Sequence, residues 1–153
     1  NIYKKINEKF TGELVLGQLL DLKKDVHQFV NYKVDEQDVD LLTMIYKTGT
    51  LFSLCFILGG SISILYDKEF NLEDYKKMGE SLGIMYQIMD DFKDYETDKE
   101  ETNYIRKVGR DKALRIYKSN KSKLEKLLED NGIMTEELKE LINVIDKNLN
   151  MNL

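Results

Sequence analysis

The residues with the clearest capacity for chemistry form an acidic cluster in the middle of the chain. Gln87 is followed by four aspartates, Asp90, Asp91, Asp94 and Asp98. At about 100° per residue, a helix places all five on one face, within an arc of about 100°. Carboxylates so close together repel one another and raise each other's pKa values. A hard cation offsets that repulsion, and Mg²⁺ commonly takes one or two carboxylates together with substrate phosphates. The alternative is an acidic face that is simply solvated.

Two further groups of polar residues precede this cluster. Lys47 and Thr48 open an apolar stretch that contains no further charge for almost twenty residues. Lys47 is either a cation facing an anion that the aspartates hold, or a lysine whose stem follows apolar surface to solvent. Gln18 and Asp21 line one face of the first helical segment. Three helices therefore offer polar residues at spacings suited to one shared cavity.

Composition limits the classes of function. The 153 residues fit one domain, and the absence of proline favours an all-α fold. A net charge of −5 argues against nucleic-acid binding, which needs a basic face. With one histidine, His27, and one cysteine, Cys55, catalytic triads and thiolate metal clusters have no basis. We expect Cys55 to be a small buried core residue in a reducing compartment, which points to the cytoplasm.

The hydrophobic pattern predicts five helical segments. They cover about residues 1–31, 38–66, 71–98, 108–130 and 135 onwards. Asn71 is expected to cap the third segment, Asn131 and Gly132 to end the fourth, and Gly59-Gly60 to bend the second. The second segment is long enough to span a membrane. Its glycines and serines favour a buried central helix instead, so we expect no membrane partner.

The run from Gly79 to Asp94 resembles the second aspartate-rich region of trans-isoprenyl diphosphate synthases. That family usually shows Gly-x-x-Leu-Gly-x-x-Phe-Gln-x-x-Asp-Asp-x-x-Asp, and here Tyr86 replaces the usual phenylalanine. Lys47-Thr48 resembles the family's Lys-Thr pair, and Gly17-Gln18-x-x-Asp21 resembles its Gly-Gln-x-x-Asp helix. The three motifs occur in the family's order, and the resemblance covers residues 10–115.

The resemblance implies a fold and an activity. The fold is an all-α antiparallel helical bundle of the isoprenoid synthase type, of which residues 1–153 would be the C-terminal half, as a single domain. The activity is that of a polyprenyl diphosphate synthase, such as a geranylgeranyl or farnesyl diphosphate synthase. Such an enzyme is a prenyltransferase of isoprenoid biosynthesis, which condenses an allylic diphosphate with isopentenyl diphosphate and uses Mg²⁺.

The resemblance also implies roles for individual residues. The Mg²⁺ ligands would be Asp90, Asp91 and Asp94. The residues in contact with the allylic diphosphate, or lining its cavity, would be Lys47, Thr48, Gln87, Gln18 and Asp21. Among all of these, Lys47 and Asp90 would be catalytic. Many members have a further lysine downstream, for which Lys107 and Arg110 are both candidates.

One part of the family pattern is missing. Members need a first aspartate motif followed by arginines, and Asp35, Asp38 and Asp40 do not have its spacing. We therefore expect activity to need an N-terminal half or a partner subunit, in an enzyme that forms a homodimer. Two alternatives stay open: a non-catalytic subunit of a heteromeric prenyl synthase, and an unrelated helical interaction protein with an acidic face.

Overall fold

The computed structural model describes residues 2–21, 36–62, 70–98 and 103–151. Its helices are α1 (Ile2–Asp21), α2 (Glu36–Met44), a π-helical segment (Ile45–Gly49), α3 (Thr50–Ser61), α4 (Leu72–Lys93), α5 (Tyr104–Val108), α6 (Arg110–Asp130) and α7 (Glu136–Met151). These ranges contain no strand, which confirms the all-α prediction. His27 lies outside them.

The chain divides into two compact units, residues 1–83 and 84–153, and the division falls inside α4. In the first unit, α1 packs against α2, the π-helical segment and α3. The N-terminal half of α4 joins them through Lys76. Its ammonium lies 3.4 Å from Oε1 of Glu13, and its backbone carbonyl accepts the hydroxyl of Ser53 at 2.8 Å.

α2, the π-helical segment and α3 follow one another without a break. Gly59 and Gly60, where a bend was expected, lie within α3, near its C-terminal end. An irregularity that was not predicted is the wide turn of the π-helical segment. The continuous helix formed by α2, the π-helical segment and α3 contains the stretch Val39–Ser61. Within the described ranges, this stretch is the one that is long and apolar enough to cross a membrane.

α4 begins as predicted and ends earlier than predicted. Oδ1 of Asn71 accepts the backbone N–H groups of Glu73 and Asp74 at 3.1 and 3.4 Å, which confirms the N-cap. The helix ends at Lys93, and turns follow to Asp98. Helical periodicity places a core stripe of four residues on one face of α4, and all four are buried: Leu82, Met85, Met89 and Phe92.

The early end of α4 has a physical cause. In a continuing helix, the backbone carbonyl of Asp91 would accept the N–H of Tyr95. That carbonyl instead accepts Nδ2 of Asn103 at 2.7 Å. The Tyr95 N–H turns to the carbonyl of Phe92 at 3.4 Å, a tighter, 3₁₀-type bond. A side chain twelve residues downstream thus takes the place of the next helical hydrogen bond.

In the second unit, α6 corresponds to the predicted fourth segment, and a short helix that was not predicted, α5, precedes it. α5 stops at Gly109, whose φ of 85° is readily adopted only by glycine, and α6 begins at the next residue. The stop after α6 is confirmed, with Gly132 at φ 64°. The start of α7 is confirmed too, since Oγ1 of Thr135 accepts the N–H of Leu138 at 3.3 Å.

A polar cluster links α6 to α7. The hydroxyl of Tyr117 donates to Oδ1 of Asp146 at 2.6 Å, and Lys121 forms an ion pair with Oδ2 of the same carboxylate. Burial, the hydrogen bond to Asp146 and its negative charge all raise the pKa of the Tyr117 hydroxyl. Tyr117 therefore stays protonated and acts as a donor that joins the two helices.

Candidate functional site

Lys47 and Thr48 lie in the π-helical segment, not in regular α-helix. The carbonyl of Ile45 accepts both the backbone N–H of Thr50 and its hydroxyl, the latter at 3.2 Å. Thr50 is buried, so this double acceptance stabilises the wide turn from inside. π-helical turns are rare and occur frequently at functional sites. The sequence reasoning selected Lys47 and Thr48 but did not foresee this backbone.

Two glycines on neighbouring helices allow close approach to this segment. A Cβ at Gly17 of α1 would lie 2.5 Å from the backbone nitrogen of Lys47. A Cβ at Gly83 of α4 would lie 2.5 Å from Cα of Gly49 and 3.1 Å from the carbonyl carbon of Thr48. Any side chain at either glycine would force backbone apart. The segment that carries Lys47 and Thr48 is therefore held on two sides.

The other predicted residues of the first unit lie on α1. Gln18 follows Gly17 directly and is exposed, so its side chain stands beside the crossing with the π-helical segment. Asp21 is the last residue of α1, and its side chain lies outside the described part of the chain. The structure thus brings the Gly-Gln motif next to Lys47.

The acidic cluster belongs to the second unit, where its members have different environments. Asp90 and Asp94 are half-buried and lie one turn apart at the end of α4. The predicted single acidic face is wrong for Asp91, which is 6% exposed and points into the fold. Asp98 lies in the turn beyond the helix, because α4 ends at Lys93.

Asp91 accepts hydrogen bonds at both carboxylate oxygens. Oδ2 accepts the backbone N–H of Tyr104 at 2.9 Å, and Oδ1 accepts Nε2 of Gln87 at 3.1 Å. Burial raises the pKa of Asp91 from 3.8 to about 6. These two hydrogen bonds act in the opposite direction, while the charges of Asp98 and Asp90 raise it further. The carboxylate is therefore costly to ionise where it lies.

Asn103 is a site residue that the sequence reasoning missed, since it lies between the predicted third and fourth helical segments. It is fully buried and caps α5, with Oδ1 accepting the N–H groups of Ile105 and Arg106 at 3.1 and 3.3 Å. Its Nδ2 donates to the Asp91 carbonyl and lies 3.4 Å from Oδ2 of Asp98. An asparagine directly before Tyr-Ile was the available indication of an N-cap.

Basic residues follow Asn103 on α5 and α6. Arg106 donates from Nε to the carbonyl of Tyr95 at 2.8 Å, and its guanidinium lies 4.7 Å from the centre of the Tyr95 ring. The guanidinium of Arg110 lies at the same distance from that ring. Tyr95 is therefore stacked with two cations, an arrangement that stabilises the turn after α4. Lys107 and Arg110 are both exposed, and both remain candidates for the downstream cation.

The residues present fit one kind of metal site and not another. Among the described residues, no three His, Cys, Asp or Glu side chains are close enough to enclose a metal ion by themselves. Asp90 and Asp94 offer two carboxylates one turn apart, which is what Mg²⁺ needs when substrate phosphates and water complete its shell. The donor set suits Mg²⁺ that is shared with a bound diphosphate.

Comparison with known proteins gives the family. The model of the polyprenyl synthetase family matches residues 2–145. The chain belongs to the polyprenyl synthetase family. Membership accounts for the order of the three motifs and for the all-α fold, which is that of the isoprenoid synthase type.

A curated relative of this polyprenyl synthetase chain is the hexaprenyl pyrophosphate synthase of Saccharolobus solfataricus. It is 28% identical over 140 residues, which cover 85% of this chain and 49% of the relative. The chain thus spans about half the length of the curated relative it matches.

Proposed function

We propose that this chain provides the C-terminal half of the active site of a polyprenyl diphosphate synthase. The enzyme would transfer an allylic prenyl group to isopentenyl diphosphate. Family membership supports this class of reaction. The observation that carries the proposal is the placement of Asp90 and Asp94. Both are half-buried, and they lie one helical turn apart at the C-terminal end of α4, shortly after Gln87.

In this reaction the allylic C–O bond breaks, and its electron pair leaves with the diphosphate. The double bond of isopentenyl diphosphate then attacks the carbocation, and a proton is lost from the new product. Bound Mg²⁺ would supply charge neutralisation for the leaving diphosphate. Asp90 and Asp94 would hold the Mg²⁺, and Asp91 belongs to the same acidic cluster.

The remaining predicted residues would bind and orient the diphosphate. Lys47 would offer an ammonium and Thr48 a hydroxyl from the π-helical segment, where Gly17 and Gly83 hold the backbone. Prepositioned donors of this kind stabilise charge that develops on a leaving group. We propose that Gln87, Gln18 and Asp21 also contribute to binding the allylic diphosphate, as the family resemblance implies. Apolar side chains around the site would keep water from the carbocation.

An exposed apolar stripe on α3 supports the need for a second half. The stripe consists of four residues at helical spacing: Leu51, Cys55, Leu58 and Ile62. The prediction that Cys55 is buried is wrong, because it lies on this outward face. Four neighbouring apolar positions indicate a covered surface. We propose that the remainder of the synthase fold covers them, since the relative is about twice as long.

Other properties of the enzyme are proposed on the same basis. We propose a cytoplasmic homodimer that makes a farnesyl or geranylgeranyl product. The relative is named as a hexaprenyl synthase, so product analysis by chromatography must decide the chain length. Gel filtration with light scattering measures the oligomeric state.

The metal site can be tested by calorimetry. Mg²⁺ alone is expected to bind weakly, because two carboxylates leave most octahedral positions to water. A prenyl diphosphate or a bisphosphonate should tighten Mg²⁺ binding, since its oxygens replace that water. Equal Mg²⁺ affinity with and without the ligand would contradict a site in which the metal bridges to diphosphate.

The activity itself is tested by reuniting the two halves. Purified chain is incubated with labelled isopentenyl diphosphate, an allylic diphosphate and Mg²⁺, with and without the upstream half of a synthase. We expect product only when both are present, because one acidic cluster cannot hold the leaving group from both sides. Robust product from the chain alone would refute the half-site proposal. No product from the reunited halves would favour a non-catalytic subunit.

A further inference from the structure

The acidic cluster contains one carboxylate, that of Asp91, whose two oxygens both accept hydrogen bonds from the protein itself. Oδ2 of Asp91 accepts a hydrogen bond from the Tyr104 N–H, and Oδ1 accepts one from Nε2 of Gln87. The backbone carbonyl of Asp91 accepts a third hydrogen bond, from Nδ2 of Asn103. With 6% of its surface exposed, it presents little area to an ion outside the helix. A buried polar group with all of its partners in place keeps a fixed orientation.

Asn103 completes the same network from the other end. Its two polar atoms make four contacts, which use its full capacity for hydrogen bonds. Two of these contacts reach back to Asp91 and Asp98, and two cap the first turn of α5. Because Asn103 is fully buried, truncation of its side chain to alanine leaves unsatisfied groups at both helix ends. The hydrogen bonds of Asn103 thus connect the end of α4 to the start of α5.

Asp90 and Asp94 contrast with this arrangement. Both are half-buried on α4 or at its end, and the N–H of Asp94 bonds to the carbonyl of Asp90 at 2.9 Å, which keeps one helical turn between them. The hydrogen bond from Asn103 to the Asp91 carbonyl takes the place of the next helical hydrogen bond directly after this turn. Asn103 therefore holds the stretch of backbone that lies between Asp90 and Asp94.

We propose that Asp91 and Asn103 are a positioning pair for the metal site and that neither contacts the metal. They fix the end of α4 against the start of α5, so that Asp90 and Asp94 are presented to a Mg²⁺–diphosphate complex. This inference rests on the proposed function. For Asp91 it replaces the ligand role that the family resemblance implies.

Substitution by asparagine separates a ligand from a positioning residue. Asp91→Asn keeps an oxygen for the Tyr104 N–H, and the Gln87 amide can rotate to meet the new amide. An amide is a much weaker partner for Mg²⁺ than a carboxylate. We expect Asp91→Asn to keep the affinity for Mg²⁺ with inorganic diphosphate within about threefold of the wild-type chain, whereas Asp90→Asn and Asp94→Asn lose about tenfold or more.

Calorimetry on the full chain, with inorganic diphosphate as the probe, reads out these affinities without any turnover. If Asp91→Asn weakens binding as much as Asp90→Asn, Asp91 is a ligand and the positioning proposal is wrong, while the metal site stands. If the wild-type chain shows no Mg²⁺-dependent binding of diphosphate, the proposed function fails and this inference fails with it.

Variants of Asn103 test the other member of the pair. Asn103→Ser keeps an N-cap oxygen for α5 but is too short to reach the Asp91 carbonyl. We expect Asn103→Ser and Asn103→Ala to weaken Mg²⁺–diphosphate binding about fivefold or more, with circular dichroism still showing a helical chain. Wild-type affinity in Asn103→Ser would assign Asn103 to helix capping alone and overturn its positioning role.

Discussion

The buried carboxyl of Asp91 is expected to make the metal-free chain less stable as the pH rises. Burial raises its pKa in the folded state to about 6, from an ordinary value of 3.8 that also describes the unfolded chain. The folded state therefore binds the proton more tightly than the unfolded state. This contribution to stability is complete below about pH 4 and is lost as the pH rises through about 6.

The size of the effect follows from the same two pKa values. At about 1.36 kcal/mol for each pKa unit, a rise from 3.8 to about 6 corresponds to about 3 kcal/mol. Other carboxyl groups titrate in this range too, so the difference between two chains is the useful quantity. Asp91→Asn removes the titrating group while keeping an acceptor for the Tyr104 N–H. Its stability advantage over the wild-type chain is expected to grow by about 2.4 kcal/mol between pH 4 and pH 7, which is most of the full effect.

Urea unfolding in the presence of a chelator, followed by circular dichroism at several pH values, measures this difference. The slope with urea must stay the same in both chains for the comparison to hold. A stability difference that does not change with pH would refute the assignment of a raised pKa to Asp91. A difference that grows toward acid pH would show that the pKa is lowered instead.

Three further predictions concern other parts of the chain. Lys47→Ala is expected to weaken diphosphate binding by about 1.5–3 kcal/mol in calorimetry, with little change in melting temperature. Substitution of the exposed Lys118 by alanine is the matched control. A large loss of stability with unchanged affinity would indicate that Lys47 only covers apolar surface. Gly17→Ala should destabilise the chain by about 1–3 kcal/mol in thermal unfolding, because its Cβ would lie 2.5 Å from a backbone atom of the π-helical segment. Gly12→Ala is the control, since its Cβ would meet open space, and it should be neutral or slightly stabilising. Tyr117→Phe removes a hydrogen bond to a carboxylate and should cost about 1.5–3 kcal/mol in urea unfolding; no change would mean that the α6–α7 cluster adds nothing to stability.

The helix ends that the sequence predicted correctly are those set by neighbouring residues. Asn71 and Thr135 cap helices through N–H groups two or three positions away, and Gly132 supplies a backbone angle that other residues disfavour. The core stripe of α4 is equally local, because helical periodicity alone puts Leu82 and Met85 on one face. Interactions between residues only two to four positions apart can be predicted from a short stretch of sequence.

The errors occur where distant residues decide the outcome. The burial of Asp91 comes with hydrogen bonds to residues 103 and 104, which lie beyond the end of α4 and which helical periodicity cannot anticipate. Likewise, the exposure of Cys55 depends on which helices pack on α3. An apolar stretch of sequence does not by itself show which of its faces is covered. The wide turn at Lys47 lies where α1 and α4 approach it closely at Gly17 and Gly83, and both glycines are distant from it in the sequence.

The sequence by itself determined the all-α class, the order of the three motifs and the residues that can do chemistry, because residue type and spacing carry that information directly. Only the tertiary structure decided how the carboxylates differ. Asp90 and Asp94 remain half-exposed, while the Asp91 carboxylate is buried and accepts hydrogen bonds from Tyr104 and Gln87. The reason is physical: burial and hydrogen-bond partners, which set a carboxylate's charge and direction, are properties of the packed chain.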